Sequence, residues 1–306
     1  MKAIQYKSFG ESEVLELIQA DKPAIKENEV LIKVKATTIN PFDMKIRSGY
    51  MQKTMPVQLP FIPGLDASGV VEAIGNKVTR IKVGDEVFAT SAAGSYAEYI
   101  AANEDQVALK PAHVSFNEAA SLAIPLSTSY AVLIEAGKIQ AGQKVLIHGA
   151  SGGVGSIMVQ MAKALGAYVI GTAAGIGVEI IKNLGTDEAI DYKTQDFTGL
   201  VSDVDLVADL VGGETQVKSF EVLKKGGKLL SIVMPPSAEL AEKFNVTVQF
   251  VFSYSSYKKL EFGVQLLEQG KIKAVISKIT NLEQAAQAQD MVSTGGVNGK
   301  VVLEMN

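Results

Sequence analysis

Residues 144–166, KVLIHGASGGVGSIMVQMAKALG, hold a pattern whose residue types and spacing suit a chemical task. A short apolar run, Val145-Leu146-Ile147, reads as a buried parallel strand. A tight turn follows from Gly149 to Gly155, and then Val154, Ile157, Met158, Met161, Ala162 and Leu165 recur at helical spacing. Strand, glycine turn and helix in this order suit the binding of a dinucleotide diphosphate, which needs close backbone N–H groups and the positive end of a helix dipole. In the pattern Ala150-x-Gly152-x-x-Gly155, Gly152 lets the backbone approach the phosphates and Gly155 lets the helix lie against the strand. Ala150, Ser151, Gly152, Gly153, Val154 and Gly155 are therefore candidate cofactor contacts. Read alone, the same glycines also suit a tight structural turn.

The elements around this turn decide between the two readings. Ahead of it the chain is rich in strands and turns: Lys2–Tyr6, Leu15–Gln19, the alternating Glu29–Ile39, Asp66–Ile74, a hairpin entering a strand over Val83–Phe88, and Gly94–Asn103. A short helix is expected over Phe42–Ser48, and helices over Asn117–Leu122 and Ser127–Glu135 with a break near Pro125. After the turn, strands at Tyr168–Thr172, Glu188–Ile190, Val204–Ala208 and Lys228–Val233 alternate with helices at Glu179–Leu184 and Glu214–Leu223. Such β/α alternation requires an open parallel sheet, with Val246–Phe252 as its last strand. A helix over Tyr257–Gln269, a strand over Ala274–Ile279, a helix over Leu282–Thr294 and a strand over Gly299–Glu304 close the chain.

Composition sets further bounds. The 306 residues allow two cores, and a formal net charge of −4 gives no overall pull toward nucleic acid or an anionic membrane. Only two arginines occur, Arg47 and Arg80. With no cysteine and only His113 and His148, disulfides, thiolate catalysis and a cysteine-held zinc are excluded, and no metal site is expected. The opening Met1-Lys2-Ala3-Ile4-Gln5-Tyr6 starts a strand rather than a leader, and no run reaches membrane-spanning length, so a cytoplasmic protein with no membrane partner is expected.

Six stretches, dispersed along the chain and in order, carry a resemblance: NPFDMKIRSG from Asn40, PGLDASGVV from Pro63, VGDEVF from Val83, GSYAEY from Gly94, HGASGGVG from His148 and DLVGG from Asp209. By these the chain resembles the medium-chain dehydrogenase/reductase superfamily, and within it the zinc-independent quinone oxidoreductase and alkenal reductase branch. The resemblance implies an α/β protein in which a Rossmann domain, residues 123–254, is inserted into a GroES-like catalytic domain, residues 1–122, completed by 255–306, with the cofactor in the cleft between them. Zinc-dependent cousins carry Cys at Asn40 and His-Glu at Leu65-Asp66; leucine cannot ligate a metal, and an amide is a poor substitute for a thiolate.

NAD-specific sites place an acid about 20 residues past the glycine motif. Here that region reads Gly171-Thr172-Ala173-Ala174-Gly175, so NADP is the expected cofactor. Family members often hold the 2′-phosphate with a lysine where this chain has Ile176; Thr172, Ala173 and Tyr192 remain as candidate contacts, with Lys193 beside them and Tyr192 at the family's tyrosine position near that phosphate. The resemblance also brings Thr128, Ile232, Val233, Phe252 and Lys300 near the cofactor, and sets Asn40 beside the nicotinamide, where its amide could donate to a substrate oxygen. Without zinc, oxidation of a simple alcohol is a poor fit; hydride transfer to a quinone or to the β-carbon of an enone demands less. Tyr50 is the candidate proton donor, and Met51, Met55 and Phe61 are candidate walls of an apolar pocket. Asp43 reads as a local helix cap or partner of Lys45 or Arg47, Asp66 as a carboxylate that fixes the pocket, His148 as a packing or phosphate-side residue, and His113 as surface structure. A small apolar quinone or enone is the expected partner, with no nucleic acid as primary partner. The apolar Val246–Phe252 strand suggests a homodimer. Two other readings stay open: an enoyl thioester reductase, and a non-catalytic NADP(H)-binding sensor.

Overall fold

The computed structural model describes residues 1–91 and 94–305. Residues 92, 93 and 306 fall inside ranges assigned above to the catalytic domain and lie outside the described residues. Two compact units are present. One comprises Met1–Ile124, Ser255–Val264 and Ala274–Asn306, the other Pro125–Tyr254 and Gln265–Lys273. Residues 265–273 thus group with the inserted unit, whereas the expected return to the first domain took in everything from 255 onward.

The first unit opens with β1 (Lys2–Gln5) and β2 (Glu16–Gln19), paired antiparallel. Then come β3 (Glu29–Thr38), α1 (Pro41–Arg47), β4 (Asp66–Ile74), β5 (Glu86–Thr90), β6 (Tyr99–Asn103) and β7 (Val107–Leu109). In β3 the alternation does what a half-buried strand requires: Val34 and Ala36 face the core while Lys33 and Lys35 are exposed. Val30, Ile32 and Val34 pack with Ala67, Val71, Val87 and Ile100; each valine and isoleucine side chain contributes about 1.5–3 kcal/mol by leaving water.

Helix α2 (Phe116–Tyr130) corrects one expectation, because Pro125 lies inside it rather than breaking it. A proline there removes one backbone donor. The buried side chains of Ala119, Ala120, Leu122, Ala123 and Leu126 keep the helix in place, and it widens into a π-type turn over Ala131–Ala136. The continuous helix Phe116–Ala136 is long and apolar enough to cross a membrane, yet most of it is buried within the protein.

The second unit is a six-stranded sheet built from β8 (Lys144–Ile147), β9 (Tyr168–Ala173), β10 (Glu188–Asp191), β11 (Val204–Asp209), β12 (Leu223–Ser231) and β13 (Thr247–Phe250). Between them run α3 (Gly153–Ala164), α4 (Ile176–Asn183), α5 (Gly213–Lys218) and α6 (Ala238–Phe244). Strand order is β10-β9-β8-β11-β12-β13, all parallel. The chain winds outward from β8 in one direction and returns to β11 on its other side, so the ends of β8 and β11 flank the switch point where open α/β sheets bind ligands. Helix α5 stops at Lys218, short of the expected Leu223, because Phe220 and Val222 are drawn into the core through a 3₁₀ turn at Ser219–Glu221. Helix α6 was not expected; the Ser237 hydroxyl accepts from Leu240 N–H at 3.2 Å and starts it.

The chain continues with α7 (Tyr257–Glu268), β14 (Ile276–Asn281), α8 (Ala285–Thr294) and β15 (Lys300–Glu304). The last two strands join the first unit's sheet in the order β14-β15-β3-β4-β5-β7, with β6 on β3. That order places the start of β15 and the start of β4 on either side of the end of β3.

Candidate active site

In the second unit the glycine turn follows β8. Gly149 has φ +68°, the left-handed region that favours glycine, and Ala150 N–H donates to Thr172 O at 3.0 Å, tying the turn to β9. A Cβ on Gly155 would lie 2.2 Å from Gly149 O, so this position is closed to any side chain by the approach of α3 to the turn. Gly152 is different. Its φ of −73° and ψ of 179° suit any residue, and a Cβ there would meet only Gly149 O at 3.4 Å, an ordinary contact. Neither backbone strain nor packing within the protein calls for glycine at 152, while the approach of a diphosphate does. Ser151, Gly152, Gly153 and Val154 are half-buried on this face, and Ala150 is fully buried beneath it.

His148 lies under the turn. Its Nε2 is 3.0 Å from Ser219 Oγ and its Nδ1 is 3.1 Å from Thr172 Oγ1. Ser219 already donates its hydroxyl hydrogen to Thr215 O at 2.6 Å, so it accepts from His148 Nε2–H, and Thr172 donates to Nδ1. Burial pushes the imidazole down to about 4, so it is neutral at physiological pH and serves as a bracket rather than a base. The Thr172 hydroxyl is therefore committed inward, away from the role of cofactor contact expected of it. On the other side of the switch point, Asp209 Oδ1 accepts from Val211 and Gly212 N–H at 3.0 and 2.7 Å, and its Oδ2 from Gln216 Nε2 at 2.8 Å. These bonds shape the loop after β11. Only the local DLVGG string was legible beforehand; Gln216 was not.

The remaining nucleotide candidates are spread over the unit. Ala173 ends β9, and Tyr192, which is exposed, donates its N–H to Ala173 O at 3.1 Å. Ile232 and Val233 are half-buried just past β12, held where Ser231 Oγ accepts from Val233 N–H. Thr128 is buried in α2, and Phe252 is exposed with its ring 5.0 Å from that of Tyr254.

In the first unit, sheet order gathers a buried polar cluster around Asn40. Asp66 Oδ1 accepts from Thr38 N–H at 3.0 Å and Thr38 Oγ1–H at 2.7 Å. Asp66 Oδ2 accepts from Asn40 Nδ2 at 3.0 Å and stands 3.6 Å from Lys300 Nζ. Lys300 Nζ donates to Asn40 Oδ1 at 2.7 Å and to Ile39 O at 3.1 Å. The Asn40 carboxamide is thus held at both ends, its Nδ2 also reaching Thr38 O at 3.4 Å. It is fixed in orientation, and donation to a substrate oxygen would need one of these bonds to open. Lys300 reaches Asn40 in place of standing free for a cofactor.

Asp43 sits one helical turn along. Asn40 N–H donates to Asp43 Oδ2 at 3.0 Å, the capping bond expected of it, and Tyr96 O–H donates to the same oxygen at 2.9 Å. Asp43 Oδ1 is buried without a hydrogen-bond partner. Burial, and after it the charge of Asp66, push the Asp43 carboxyl up to about 7. Because the folded pKa lies above the unfolded one, this group's contribution to stability is full below about pH 4 and is lost as pH rises through about 7. We expect Asp43→Asn to flatten that part of the stability–pH curve between pH 4 and 8, measured by urea unfolding; an unchanged curve would remove Asp43 as its source.

Tyr50 lies in the turn after α1 and is 78% exposed, whereas Met51, Met55 and Phe61 are half-buried in the segment that follows.

Comparison with known proteins agrees with this arrangement. The alcohol dehydrogenase GroES-like domain family matches residues 26–112, and the zinc-binding dehydrogenase family matches residues 184–303. A 2-methylene-furan-3-one reductase of Solanum lycopersicum is 38% identical over 99% of this chain and 79% of its own length. The quinone oxidoreductase of Coxiella burnetii superposes with a TM-score of 0.93 at 34% identity, covering 100% of this chain and 99% of that one. Escherichia coli quinone oxidoreductase complexed with NADPH superposes with a TM-score of 0.89 at 28% identity over the full length of both chains. A GroES-like unit carrying a buried Asn40–Asp66–Lys300 cluster, and a Rossmann unit with its glycine turn, together with these likenesses, place the chain among the oxidoreductases: it belongs to the medium-chain dehydrogenase/reductase superfamily, in its quinone oxidoreductase-like branch.

Proposed function

We propose that the chain is an NADPH-dependent reductase that transfers a hydride to quinones or α,β-unsaturated carbonyl compounds without a metal. The observation that carries this reading is Gly152, a glycine with no reason in the protein's own packing, at the mouth of a turn made for a diphosphate. The absence of an acid over Ala173–Gly175 supports NADP over NAD, as does the likeness to a quinone oxidoreductase that holds NADPH. The likeness to a furanone reductase supports an enone as acceptor.

The residues present do not suit zinc. Leu65 has no donor atom, and the Asn40 carbonyl oxygen is already engaged by the Lys300 ammonium, which brings a fixed positive charge to Asp66. Bound nucleotide supplies the hydride, from C4 of its nicotinamide ring. The protein binds the phosphates on the turn from Ala150 to Gly155, lines the nicotinamide with Ile232, Val233 and Thr128, and holds Asn40 in one orientation through Lys300 and Asp66. As charge builds on the acceptor oxygen, an O–H donor is needed, and the exposed Tyr50 is the residue assigned to it. We expect Tyr50→Phe to lower kcat about 10²-fold with little change in nucleotide affinity; unaltered turnover would give the proton to water. The edge strand β13 is the pairing surface of a homodimer in this reading.

Steady-state oxidation of NADPH with a quinone, an enone and an enoyl thioester in parallel tests the proposal. Turnover of the first two is expected. Preference for the thioester would make the chain an enoyl thioester reductase, and saturable nucleotide binding with no turnover of any acceptor would make it a sensor.

A further inference from the structure

The end of the second unit's sheet that would meet the adenosine ribose holds a charge that the nucleotide reading leaves unexplained. In parallel register, Asp191 at the end of β10 pairs with Ala173 at the end of β9. Its Oδ2 accepts from Gly175 N–H at 3.4 Å and its Oδ1 from Lys193 N–H at 3.0 Å. The carboxylate thus bridges the two loops in which a 2′-phosphate would have to sit. Gly175 is the N-cap of α4, and its φ of +55° explains the glycine; a Cβ there would meet nothing within 4 Å. The next residue, Ile176, is 69% exposed, and Tyr192 is 58% exposed. Lys193 meets Asp191 through its backbone N–H, and Glu179 of α4 is paired with Lys182. A dianionic 2′-phosphate would therefore face a carboxylate and an aliphatic side chain, and the Gly175 N–H that could have served it is already bonded.

We propose that Asp191 is a specificity-determining residue for the nucleotide: its carboxylate opposes a 2′-phosphate and narrows the preference for NADPH over NADH. This rests on the nucleotide reading above and sharpens it. A ribose 2′-OH can donate to a carboxylate, whereas a phosphate dianion cannot. Asp191 therefore favours the unphosphorylated ribose even though no acid follows β9 itself, and the preference for NADPH is held down from the neighbouring strand.

Direct titration of each nucleotide into the protein, without acceptor, separates the possibilities. For the natural sequence the Kd values for NADPH and NADH should lie within about tenfold of each other, since the Asp191 carboxylate opposes the phosphate. Asp191→Asn keeps an acceptor oxygen for one of the two loop bonds and removes the charge; it should raise the NADPH-over-NADH ratio by about tenfold, chiefly through NADPH. Asp191→Ser, which leaves a hydroxyl oxygen at the bridge and also removes the charge, should move the ratio in the same direction and keeps the test open if Asp191→Asn fails to fold. A bridge with only a structural role would weaken both nucleotides alike. A ratio unmoved by whichever of Asp191→Asn and Asp191→Ser folds overturns the assignment while leaving the reductase reading intact; no binding of either nucleotide to the natural sequence overturns both.

Discussion

Replacing Gly152 by alanine is expected to weaken NADPH binding by about 10²-fold while leaving the melting temperature within about 2 °C of the natural protein. The expectation follows from the contrast between two glycines of one turn. At 152 the added Cβ meets only one carbonyl oxygen, at 3.4 Å, and the backbone angles are ones alanine adopts freely. The methyl group therefore costs the fold little and falls where the phosphates must come close. At 155 the added Cβ would stand 2.2 Å from Gly149 O and 2.7 Å from Ala150 Cα, both backbone atoms that cannot swing aside. Gly155→Ala should lower stability by about 1–3 kcal/mol or more through forced backbone shifts. Calorimetry for stability and fluorescence titration for NADPH give both readouts. A Gly152→Ala protein with unchanged affinity would mean that the turn is structural only.

The second large effect is expected at Lys300. Its ammonium is buried, hydrogen-bonded to Asn40 Oδ1 and Ile39 O, and 3.6 Å from Asp66 Oδ2. Lys300→Met retains a side chain of similar length and removes the charge. Asp66 then keeps its bonds from Thr38 and Asn40 but loses its cation in a site it cannot leave, and breaking a buried pair in this way costs about 3–5 kcal/mol. The double variant Lys300→Met with Asp66→Asn should recover part of the loss, with a coupling of about 1–3 kcal/mol in a double-mutant cycle read by chemical unfolding. Strict additivity would show that the two groups do not stabilise one another.

How much of this was legible in the sequence depends on the distance over which each feature is encoded. The glycine turn is local: strand, spacing and helix stand within residues 144–166, and the structure arranges them as strand, tight turn and helix. The β/α alternation after it is likewise local, and it yields the parallel sheet. Asn40 could be singled out by its place before Pro41 and by family likeness. Its locked orientation could not, because the partner that holds its carbonyl, Lys300, is 260 residues away and arrives only when β15 pairs with β3. Tyr96 reaching Asp43 across 53 positions is hidden for the same reason. The misread break at Pro125 has another cause. Local propensity forecast a break, and burial of the flanking Leu122 and Leu126 overrode it. The Thr172 hydroxyl looked available because nothing in its own strand announces that His148 takes it.

Hydride transfer from a bound nicotinamide to an enone is tested most directly with NADPH carrying deuterium at C4, prepared separately in each of the two stereochemical forms. One form should deliver its deuterium to the β-carbon of the saturated product, as read by mass spectrometry and NMR, with solvent hydrogen appearing only at the α-carbon. A saturated product whose β-carbon carries no deuterium from either form would rule out direct hydride transfer.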